Sequence, residues 1–422
     1  MEPADAILNA CVTLARAQAI SVRTAVLLGA ELTDVRDALR RVGIAPIAAG
    51  QPIADPAVAI LGWRRGIMAE LDAACPSGPF AAALIVGAPA ARRADIHRAL
   101  FDRGLFSITP PREEVSVYVQ SALLANPSVA GEGAQSVIAM SNLGHNAGFA
   151  NQLFQYSFLR LYGLRNDAAV ETPAWIGEDV YGFARRPIAR ELPMVKGDQW
   201  SVRDLALWTD PRPPVNVDFW GYFQNPPPCW RAHRAFLRRL FAPLPPWREP
   251  ISRWLERHRP PGTTLVAIHV RRGDYILYGS QKPWFRPIPE AWYLRWLAQI
   301  WPTLENPVLF VATDDRDAVL PAFAAYSPLV ATDAEAEMPE PRFLADFEIM
   351  AQAELLAVCN SSFSHMAALL APPRQRTFIA SIEGESFEPY DPWATDDFWR
   401  RFGAPTARPR SLLPRFLRRR SA

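Results

Sequence analysis

One apolar run that ends in a dense set of polar residues constrains the fold of this chain more than any other feature. The segment is Leu265-Val-Ala-Ile-His-Val-Arg-Arg-Gly-Asp-Tyr275. Its first part, Leu265–Val270, carries apolar residues on both faces without alternation, which predicts a central strand of a parallel sheet. Open α/β sheets bind ligands at the carboxyl ends of their strands. We therefore expect the polar residues that end the run to belong to a binding site.

These polar residues have the chemistry of a phosphate site. Arg271 and Arg272 offer guanidinium forks for bidentate hydrogen bonds to a phosphate, and Gly273 lets the backbone approach a ligand closely. His269 lies beside them, and Asp274 can orient an arginine or accept a proton. The alternative is that all of these residues are solvated charges of an ordinary loop.

A second glycine-bearing loop joins a predicted strand to a predicted helix. The strand is Ser136–Met140, the loop runs to Gly148, and the helix covers Phe149–Leu161. This order directs the free backbone N–H groups of the helix start toward a ligand above it, which suits a diphosphate or a sugar hydroxyl. Asn151 and Gln152 would be the side chains that contact this ligand. The alternative is an ordinary turn followed by a helix.

Acidic residues follow another predicted strand, Val308–Ala312, at Asp314, Asp315 and Asp317. We interpret all three as residues that cap and complement the amino-terminal end of the next helix. Asp315-Arg-Asp317 also has the form of a D-x-D manganese motif, which is the less favoured interpretation. Because no other set of metal ligands is visible, the sequence predicts no metal site and no cofactor.

Two later helix starts carry further candidate ligands. Asp346 begins a predicted helix that leads to the strand Leu355–Cys359, and Ser361, Ser362 and Ser364 open the helix after it. Serines at such a position can cap the helix or donate to a phosphate, and the two uses are compatible.

Four segments follow one another in an order that carries a family resemblance. They are Gly148-Phe-Ala-Asn-Gln-Leu-Phe-Gln-Tyr156, Gly221-Tyr-Phe-Gln224, His269-Val-Arg-Arg-Gly-Asp274 and Asn360-Ser-Ser-Phe-Ser364. The chain thereby resembles glycosyltransferase family 11, the α-1,2-fucosyltransferase group, within the wider set of fucosyltransferases that use GDP-fucose. It departs from the family pattern at Ala150, where a second glycine is usual, and at His365, where a tryptophan is usual.

The resemblance implies a GT-B architecture, in which two Rossmann-like lobes face a cleft, and transfer of L-fucose from GDP-β-L-fucose with inversion. The acceptor would be a glycan hydroxyl, with an α-1,2 linkage to galactose in a bacterial surface polysaccharide, and a lipid-linked oligosaccharide is one form of it. Arg271 would stabilise the departing diphosphate with help from His269, and Asp274 would accept the acceptor proton or hold an arginine. Asp346 would pair with guanine. The implied GDP-sugar site comprises Gly148, Asn151, Gln152, Asp346, Ser361, Ser362 and Phe363.

Two alternatives to this function stay open. The first is a transferase of the same fold that uses another sugar nucleotide, since the motifs fit a diphosphate more closely than they fit fucose. The second is a non-catalytic sugar-nucleotide sensor whose output module is the amino-terminal domain.

Composition indicates the cellular compartment of the protein and the classes of partner that it does not bind. The net charge of +2 over 422 residues gives no reason to expect nucleic-acid binding. The cysteines are scattered and lack C-x-x-C spacing, which favours a reducing cytoplasm. No run has the length of a signal peptide or a membrane span, so the sequence predicts a cytoplasmic protein. The cysteines are Cys11, Cys75, Cys229 and Cys359.

The chain divides into four predicted regions. Residues 1–125 form an accessory Rossmann-like α/β domain of unknown role, and turn-rich residues 126–133 form a linker. Residues 136–250 form the acceptor-side lobe of the GT-B pair and residues 262–400 the GDP-sugar lobe. Residues 401–422 form a basic tail that could rest on the inner face of an anionic membrane, or else a disordered solubilising tail.

Prolines recur from Pro211 to Pro261, and we expect neither a regular strand nor a long helix there. Two short helices are predicted within it, at Arg231–Phe241 and Pro250–His258. The aromatic segment Phe219–Gln224 could line an acceptor groove, although core packing is the expected use of most of its rings.

Overall fold

In the part of the chain that the computed structural model describes, three β-sheets follow one another along the sequence. No helix in that part is both long enough and apolar enough to cross a membrane. The described residues are 24–28, 36–37, 39–40, 44–48, 58–62, 82–86, 88, 90–107, 115–120, 136–145, 148–197, 207–208, 210, 212–224, 226, 228–394 and 398–403.

The amino-terminal unit contains a six-stranded sheet with the strand order β2-β1-β3-β4-β6-β5. Strands β1 to β4 are parallel, whereas β6 runs antiparallel to β4 and β5 antiparallel to β6. The prediction of a parallel sheet is therefore correct for the first four strands, but it did not include the antiparallel strands β5 and β6. The predicted linker 126–133 lies outside the described residues. The elements are β1 (Thr24–Leu28), β2 (Ala45–Ala48), β3 (Val58–Gly62), β4 (Ala82–Val86), α1 (Ala90–Asp102), β5 (Leu105–Ser107) and β6 (Val115–Gln120).

The second unit contains a four-stranded parallel sheet with the order β8-β7-β10-β9. Strand β10 contradicts the expectation of no regular strand in the proline-rich region. It forms because Pro214 precedes it and Pro226 follows it, so no proline interrupts its ladder. The elements are β7 (Ser136–Ala139), α2 (Phe149–Arg165), β8 (Ala168–Glu171), α3 (Ile176–Tyr181), β9 (Met194–Lys196), β10 (Val217–Trp220) and α4 (Arg234–Leu240).

Buried polar contacts join the amino-terminal unit to the second unit. Arg165 at the end of α2 donates through Nε and Nη2 to the two carboxylate oxygens of Asp102, at 2.9 and 3.1 Å. His97 of α1 lies 2.7 Å through Nε2 from the carbonyl oxygen of Leu164. These contacts fix α1 along the carboxyl end of α2.

The third unit contains a five-stranded sheet with the order β12-β11-β13-β14-β15, parallel except for the last strand. Strand β11 lies inside the sheet, and Leu265 to Ile268 are completely buried, as predicted. The strands are β11 (Thr264–Val270), β12 (Pro307–Thr313), β13 (Leu355–Val358), β14 (Arg376–Ser381) and β15 (Ser386–Tyr390). The helices are α5 (Pro245–His258), α6 (Gly273–Tyr278), α7 (Glu290–Ile300), α8 (Arg316–Val319), α9 (Thr332–Glu337), α10 (Leu344–Gln352) and α11 (Ser362–Leu370).

The predicted short helix Pro250–His258 is present but begins earlier, at Pro245, and so as α5 it is longer than expected among the prolines. Pro245 occupies its first turn, where a backbone N–H has no intrahelical partner in any case, and Pro250 sits little more than one turn further on. The helix packs on the third unit, with Trp254 against the ring of Phe310 at 5.2 Å. By packing, the third unit therefore begins near Pro245, earlier than the predicted boundary.

The second and third units face each other across aromatic contacts. Phe149, the first residue of α2, lies 5.2 Å from Phe343 and 5.5 Å from Phe347 by ring centroids. Deeper in the interface, Phe154 of α2 lies 5.5 Å from His365 of α11. This arrangement confirms the predicted fold class, an α/β protein with a GT-B-like pair of lobes facing a cleft.

Candidate active site

A cavity of about 490 Å³ lies between the second and third units, at the carboxyl ends of β11 and β12. Gln152 is the one predicted site residue outside its lining, and this residue is buried in α2. The predicted site residues that do line the cavity are Gly148, Asn151, His269, Arg271, Asp274, Asp346, Ser361, Ser362 and Phe363.

Helix starts surround this cavity. Residues at the beginning of α2, on the second unit, and of α11, on the third unit, both line it. The first backbone N–H groups of a helix have no intrahelical partner, and the macrodipole favours an anion there. Ser361 caps α11, because its Oγ accepts from the N–H of Phe363 at 3.3 Å. The two helices therefore make the cavity suited to a phosphate group.

Arg271 is fixed at the cavity wall by two carboxylates. Its Nε and Nη2 donate to Asp274 Oδ1 at 3.1 and 2.5 Å, and its Nη1 lies 2.7 Å from Asp314 Oδ2. Burial alone would lower the pKa of Arg271, but Asp314 and Asp274 outweigh it and raise the pKa above its ordinary value. Among the described residues that line the cavity, Arg271 is the one arginine or lysine, and it carries a permanent positive charge.

Asp314 is a site residue that sequence reasoning missed. It was expected to cap a helix together with Asp315 and Asp317. Asp315 does cap α8 and Asp317 lies in its first turn, but Asp314 instead binds Arg271 and accepts from the backbone N–H of Arg272 at 2.8 Å. The signal was its place directly after β12, since β12 pairs with β11 and both strands end at one edge.

Arg272 points away from the cavity and holds the local fold. Its guanidinium pairs with Glu290 and donates to the carbonyl oxygens of Ile288 and Arg271 at 3.1 and 3.0 Å. The side chain is only 9% exposed. The two adjacent arginines thus face opposite directions, as expected for an extended strand end.

Gly273 is required by the same arrangement. Its φ angle is +25°, which L side chains rarely adopt, and a Cβ there would lie 2.4 Å from Asp314 Oδ2. The glycine therefore allows Asp314 to approach the backbone, whereas the sequence had suggested close approach to a ligand.

His269 lies almost fully buried at the base of the cavity. Burial, with a contribution from the nearby Arg271, lowers its pKa to about 3, so the ring is neutral at physiological pH. Its Nδ1 lies 3.3 Å from the Sγ of Cys359.

Asp346 is a buried carboxyl with an unused acceptor. Its Oδ1 is shielded from solvent and has no hydrogen-bond partner in the described part of the chain, although the residue lines the cavity. Burial, and then repulsion by Glu335, raises its pKa to about 7. Buried polar atoms are nearly always paired, so this oxygen is ready for a donor supplied by a ligand.

On the second unit, Asn151 and Gln224 meet at the cavity wall. Gln224 donates through Nε2 to the Oδ1 of Asn151. The Nδ2 amino group of Asn151 is then the part of this side chain that can donate to a ligand. Gln155 of α2 donates to the carbonyl oxygen of Gly221 at 2.8 Å and so fixes the segment that carries Gln224. In that segment Phe219 and Phe223 pack in the core, as expected for most of its rings.

Aromatic side chains complete the cavity, and only Tyr222 among them lies in a segment, Phe219–Gln224, that was expected to line a groove. They come from separate parts of the chain, so no local pattern links them. Their faces offer apolar walls for a base or a sugar ring. The aromatic residues concerned are Phe149, Tyr222, Tyr275, Phe285, Phe343 and Trp399.

No group of three or more histidine, cysteine or acidic residues is placed to hold a metal ion within the described ranges. The cavity instead combines one guanidinium, two helix starts, an unpaired buried carboxyl and aromatic walls. Such a set can bind an anionic group together with a planar or ring-shaped one.

No protein-family model and no curated protein matches this chain. It is similar to several solved structures. These include fucosyltransferase NodZ from Bradyrhizobium (14% identical, TM-score 0.41, covering 61% of this chain and 99% of that chain). They also include POFUT1 in complex with GDP (13% identical, TM-score 0.38, covering 58% and 97%). A third is a mutant of Arabidopsis thaliana FUT1 in complex with GDP (12% identical, TM-score 0.37, covering 69% and 79%).

Proposed function

We propose that this chain is an inverting glycosyltransferase that moves L-fucose from GDP-β-L-fucose to a glycan hydroxyl. The observation that carries the proposal is the position of Arg271, held by two carboxylates at the wall of an interlobe cavity where two helices begin. We further propose an α-1,2 linkage to galactose of a bacterial surface polysaccharide, which rests on the resemblance of the motifs.

The diphosphate of the donor would lie between Arg271 and the starts of α2 and α11. Three of the five N–H groups of Arg271 face Asp274 and Asp314, which leaves two for the diphosphate, and the backbone N–H groups of the two helices add neutral donors. The hydroxyls of Ser361 and Ser362 lie at the second of these helix starts. The site thus supplies N–H and O–H donors from both lobes without a metal ion.

Guanine fits the unpaired carboxyl of Asp346. The base has adjacent N1–H and N2–H donors, which match a carboxylate in bidentate geometry, and the Oδ1 of Asp346 has no partner among the residues that the structure describes. This contact supports a GDP-linked donor over one with a base that lacks paired donors.

Catalysis would consist mainly of stabilising the departing diphosphate. The acceptor hydroxyl attacks the anomeric carbon of fucose while the bond to the diphosphate breaks, and negative charge accumulates on the leaving oxygen. Fixed donors around that oxygen lower the barrier, because they need no reorganisation when the charge develops. Asp274 holds Arg271, which supports the second of its two expected roles; it remains a candidate for the acceptor proton.

The scattered cysteines and the basic composition of residues 401–422 support a cytoplasmic protein that contacts the inner face of a membrane. A lipid-linked oligosaccharide would be met at such a surface. Residues 404–422 lie outside the described part of the chain.

Replacement of Arg271 by lysine tests whether this residue stabilises the departing diphosphate. Arg271→Lys keeps the charge and loses the fork, and loss of one oriented donor typically costs about 100-fold in kcat. Donor KM should change far less, since the lost contact strengthens in the transition state. The assay is GDP release from GDP-fucose at saturation, after circular dichroism has verified folding.

Arg295→Lys is the matched control, because Arg295 is an exposed residue of α7 outside the cavity lining, whose guanidinium bonds to Gly384 and Glu385. Its kcat should equal that of the wild type. If Arg271→Lys is as active as the wild type, Arg271 does not contact the leaving group and the proposed site is wrong. If the wild type itself never turns over GDP-fucose, the sensor alternative gains support.

A further inference from the structure

We infer that the thiol of Cys359 fixes the tautomer of His269, so that Nε2 of this ring presents an N–H donor to the cavity. Cys359 is thus a positioning residue that acts through His269. The catalytic consequence rests on the proposed function, whereas the tautomer follows from the contacts of the two side chains themselves.

Neighbouring strands bring the two side chains together. His269 lies near the end of β11, and Cys359 directly follows β13, which pairs with β11 in parallel register. The residues are 4% and 1% exposed, and the His269 Nδ1 lies 3.3 Å from the Cys359 Sγ. Tyr293 donates its hydroxyl to the carbonyl oxygen of His269 at 2.7 Å, which fixes the backbone beneath the ring.

Both groups are neutral at physiological pH. Burial lowers the pKa of His269 to about 3 and raises the pKa of the Cys359 thiol to about 11. A neutral imidazole has one nitrogen that donates and one that accepts, and its surroundings decide which is which.

The contact has a preferred direction. An imidazole nitrogen is a better acceptor than a thiol sulfur, so S–H donation to Nδ1 is favoured over the reverse. The other neighbours of the sulfur have their own protons placed elsewhere or are donors to the sulfur: Ser364, with Oγ 3.9 Å away, donates to the carbonyl oxygen of Ser361, the Tyr293 hydroxyl donates to that of His269, and the backbone N–H of Arg271 can only donate. The thiol proton therefore lies toward Nδ1, and the ring proton is on Nε2.

This tautomer defines what His269 can do. Because the Nδ1 edge faces Cys359, the edge with Nε2 is left for the cavity, next to Arg271. An Nε2–H group donates to an anion, and it cannot take a proton from the acceptor hydroxyl. His269 would then be a second donor to the departing diphosphate, and the acceptor proton must pass to another group, such as Asp274.

Long-range ¹⁵N–¹H correlation spectra of ¹⁵N-histidine-labelled protein distinguish the two tautomers directly. His269→Gln assigns the signal, since it removes one of the six histidines. The wild type and Cys359→Ser, which keeps a hydroxyl donor, should both show the Nε2–H form of His269. In Cys359→Asp the carboxylate accepts from Nδ1–H, so the proton should move to Nδ1.

An Nδ1–H ring in the wild type, or an unchanged Nε2–H ring in Cys359→Asp, would overturn the inference. If Cys359→Asp does not fold, Cys359→Ala replaces it, and both tautomers should then be present. An Nε2–H form alone in that variant would show that Cys359 does not set the tautomer.

Kinetics provide the second readout. Cys359→Asp should lower kcat about 100-fold, the cost of one lost donor, whereas Cys359→Ser should stay within about threefold of the wild type. His269→Gln retains an N–H near the place of Nε2 and should be more active than His269→Asn. The opposite order of activities would mean that His269 does not donate a hydrogen bond to the diphosphate. If GDP-fucose is never turned over, the proposed function fails, but the spectra still decide the tautomer.

Discussion

Replacing Asp346 with asparagine should weaken GDP binding and, at the same time, make the free protein more stable above pH 7. The two effects have opposite signs because the carboxylate is buried without a partner until a ligand supplies one. A residue with a purely structural role would lower stability when changed. This pair of effects therefore separates a ligand-binding carboxyl from a structural one.

The stability effect follows from the raised pKa. Burial raises the pKa of Asp346 from its ordinary value of 3.8 to about 7. The folded protein thus favours the protonated form: this contribution to stability is complete below the unfolded pKa and is lost as pH rises through about 7. The difference between the folded and unfolded pKa of Asp346 corresponds to a loss of at most about 4 kcal/mol in the free energy of unfolding at pH 8. Asparagine has no charge to bury, so Asp346→Asn should raise the melting temperature at pH 8 and change it little near pH 4.

The binding effect has its own magnitude and pH dependence. Asparagine sets an N–H group against one guanine donor, and an unpaired buried donor costs roughly 1–3 kcal/mol, or about 5- to 150-fold in the Kd for GDP. In the wild type, Asp346 must lose its proton before it accepts both guanine donors. GDP affinity should therefore fall as pH drops below about 7, by up to about tenfold per pH unit.

Isothermal titration of GDP at pH 6 and pH 8, on wild type and Asp346→Asn, measures both effects alongside thermal unfolding. The difference between the two proteins isolates Asp346, because titration of the nucleotide itself is common to both. Asp317→Asn is the control, an exposed aspartate outside the cavity lining that should leave binding unchanged. Equal GDP affinity and equal pH dependence in a folded Asp346→Asn protein would refute the reasoning.

Two further predictions concern the metal and the turn beside Arg271. Activity should persist in excess EDTA, because arginine and helix starts neutralise the diphosphate; a loss restored by manganese would bring Asp315 and Asp317 into the site. Gly273→Ala should lower kcat about tenfold or more, since its Cβ would lie 2.4 Å from Asp314 Oδ2 and displace the partner of Arg271. Wild-type kinetics in that variant would mean that Asp314 does not need its present position.

The strand at the centre of the third unit could be predicted because its apolar run is long and uninterrupted. Strand β10 and the first five residues of helix α5 could not, because the number of prolines indicates irregular structure whereas their positions permit both elements. Proline breaks a strand or helix only where it removes a needed N–H or clashes with the preceding turn. Pro214 lies outside β10, and Pro245 lies in the first turn of α5, so neither prevents the element.

The cavity-lining residues that could be predicted are those whose motif also places them at a strand end or helix start, such as Arg271 and Asn151. Asp314 was missed because its neighbours gave a sufficient local explanation as helix caps. Its ion pair with Arg271 depends on the pairing of two strands, which the local sequence does not specify. The rings of Phe285 and Trp399 carry no local signal, since they reach the cavity only through the folded chain.

The central claim is tested most directly by the rate at which the purified wild-type protein releases GDP from GDP-fucose. This rate is compared with GDP release from GDP-mannose and with UDP release from UDP-galactose. Without acceptor, water replaces the glycan hydroxyl, so each donor is hydrolysed slowly and the acceptor need not be known. The proposed function predicts that GDP-fucose is turned over fastest, also in EDTA. Faster turnover of UDP-galactose would contradict the assignment of GDP-fucose as the donor and of Asp346 as the guanine ligand. Binding of GDP-fucose without any turnover would contradict the proposal that the protein is a transferase.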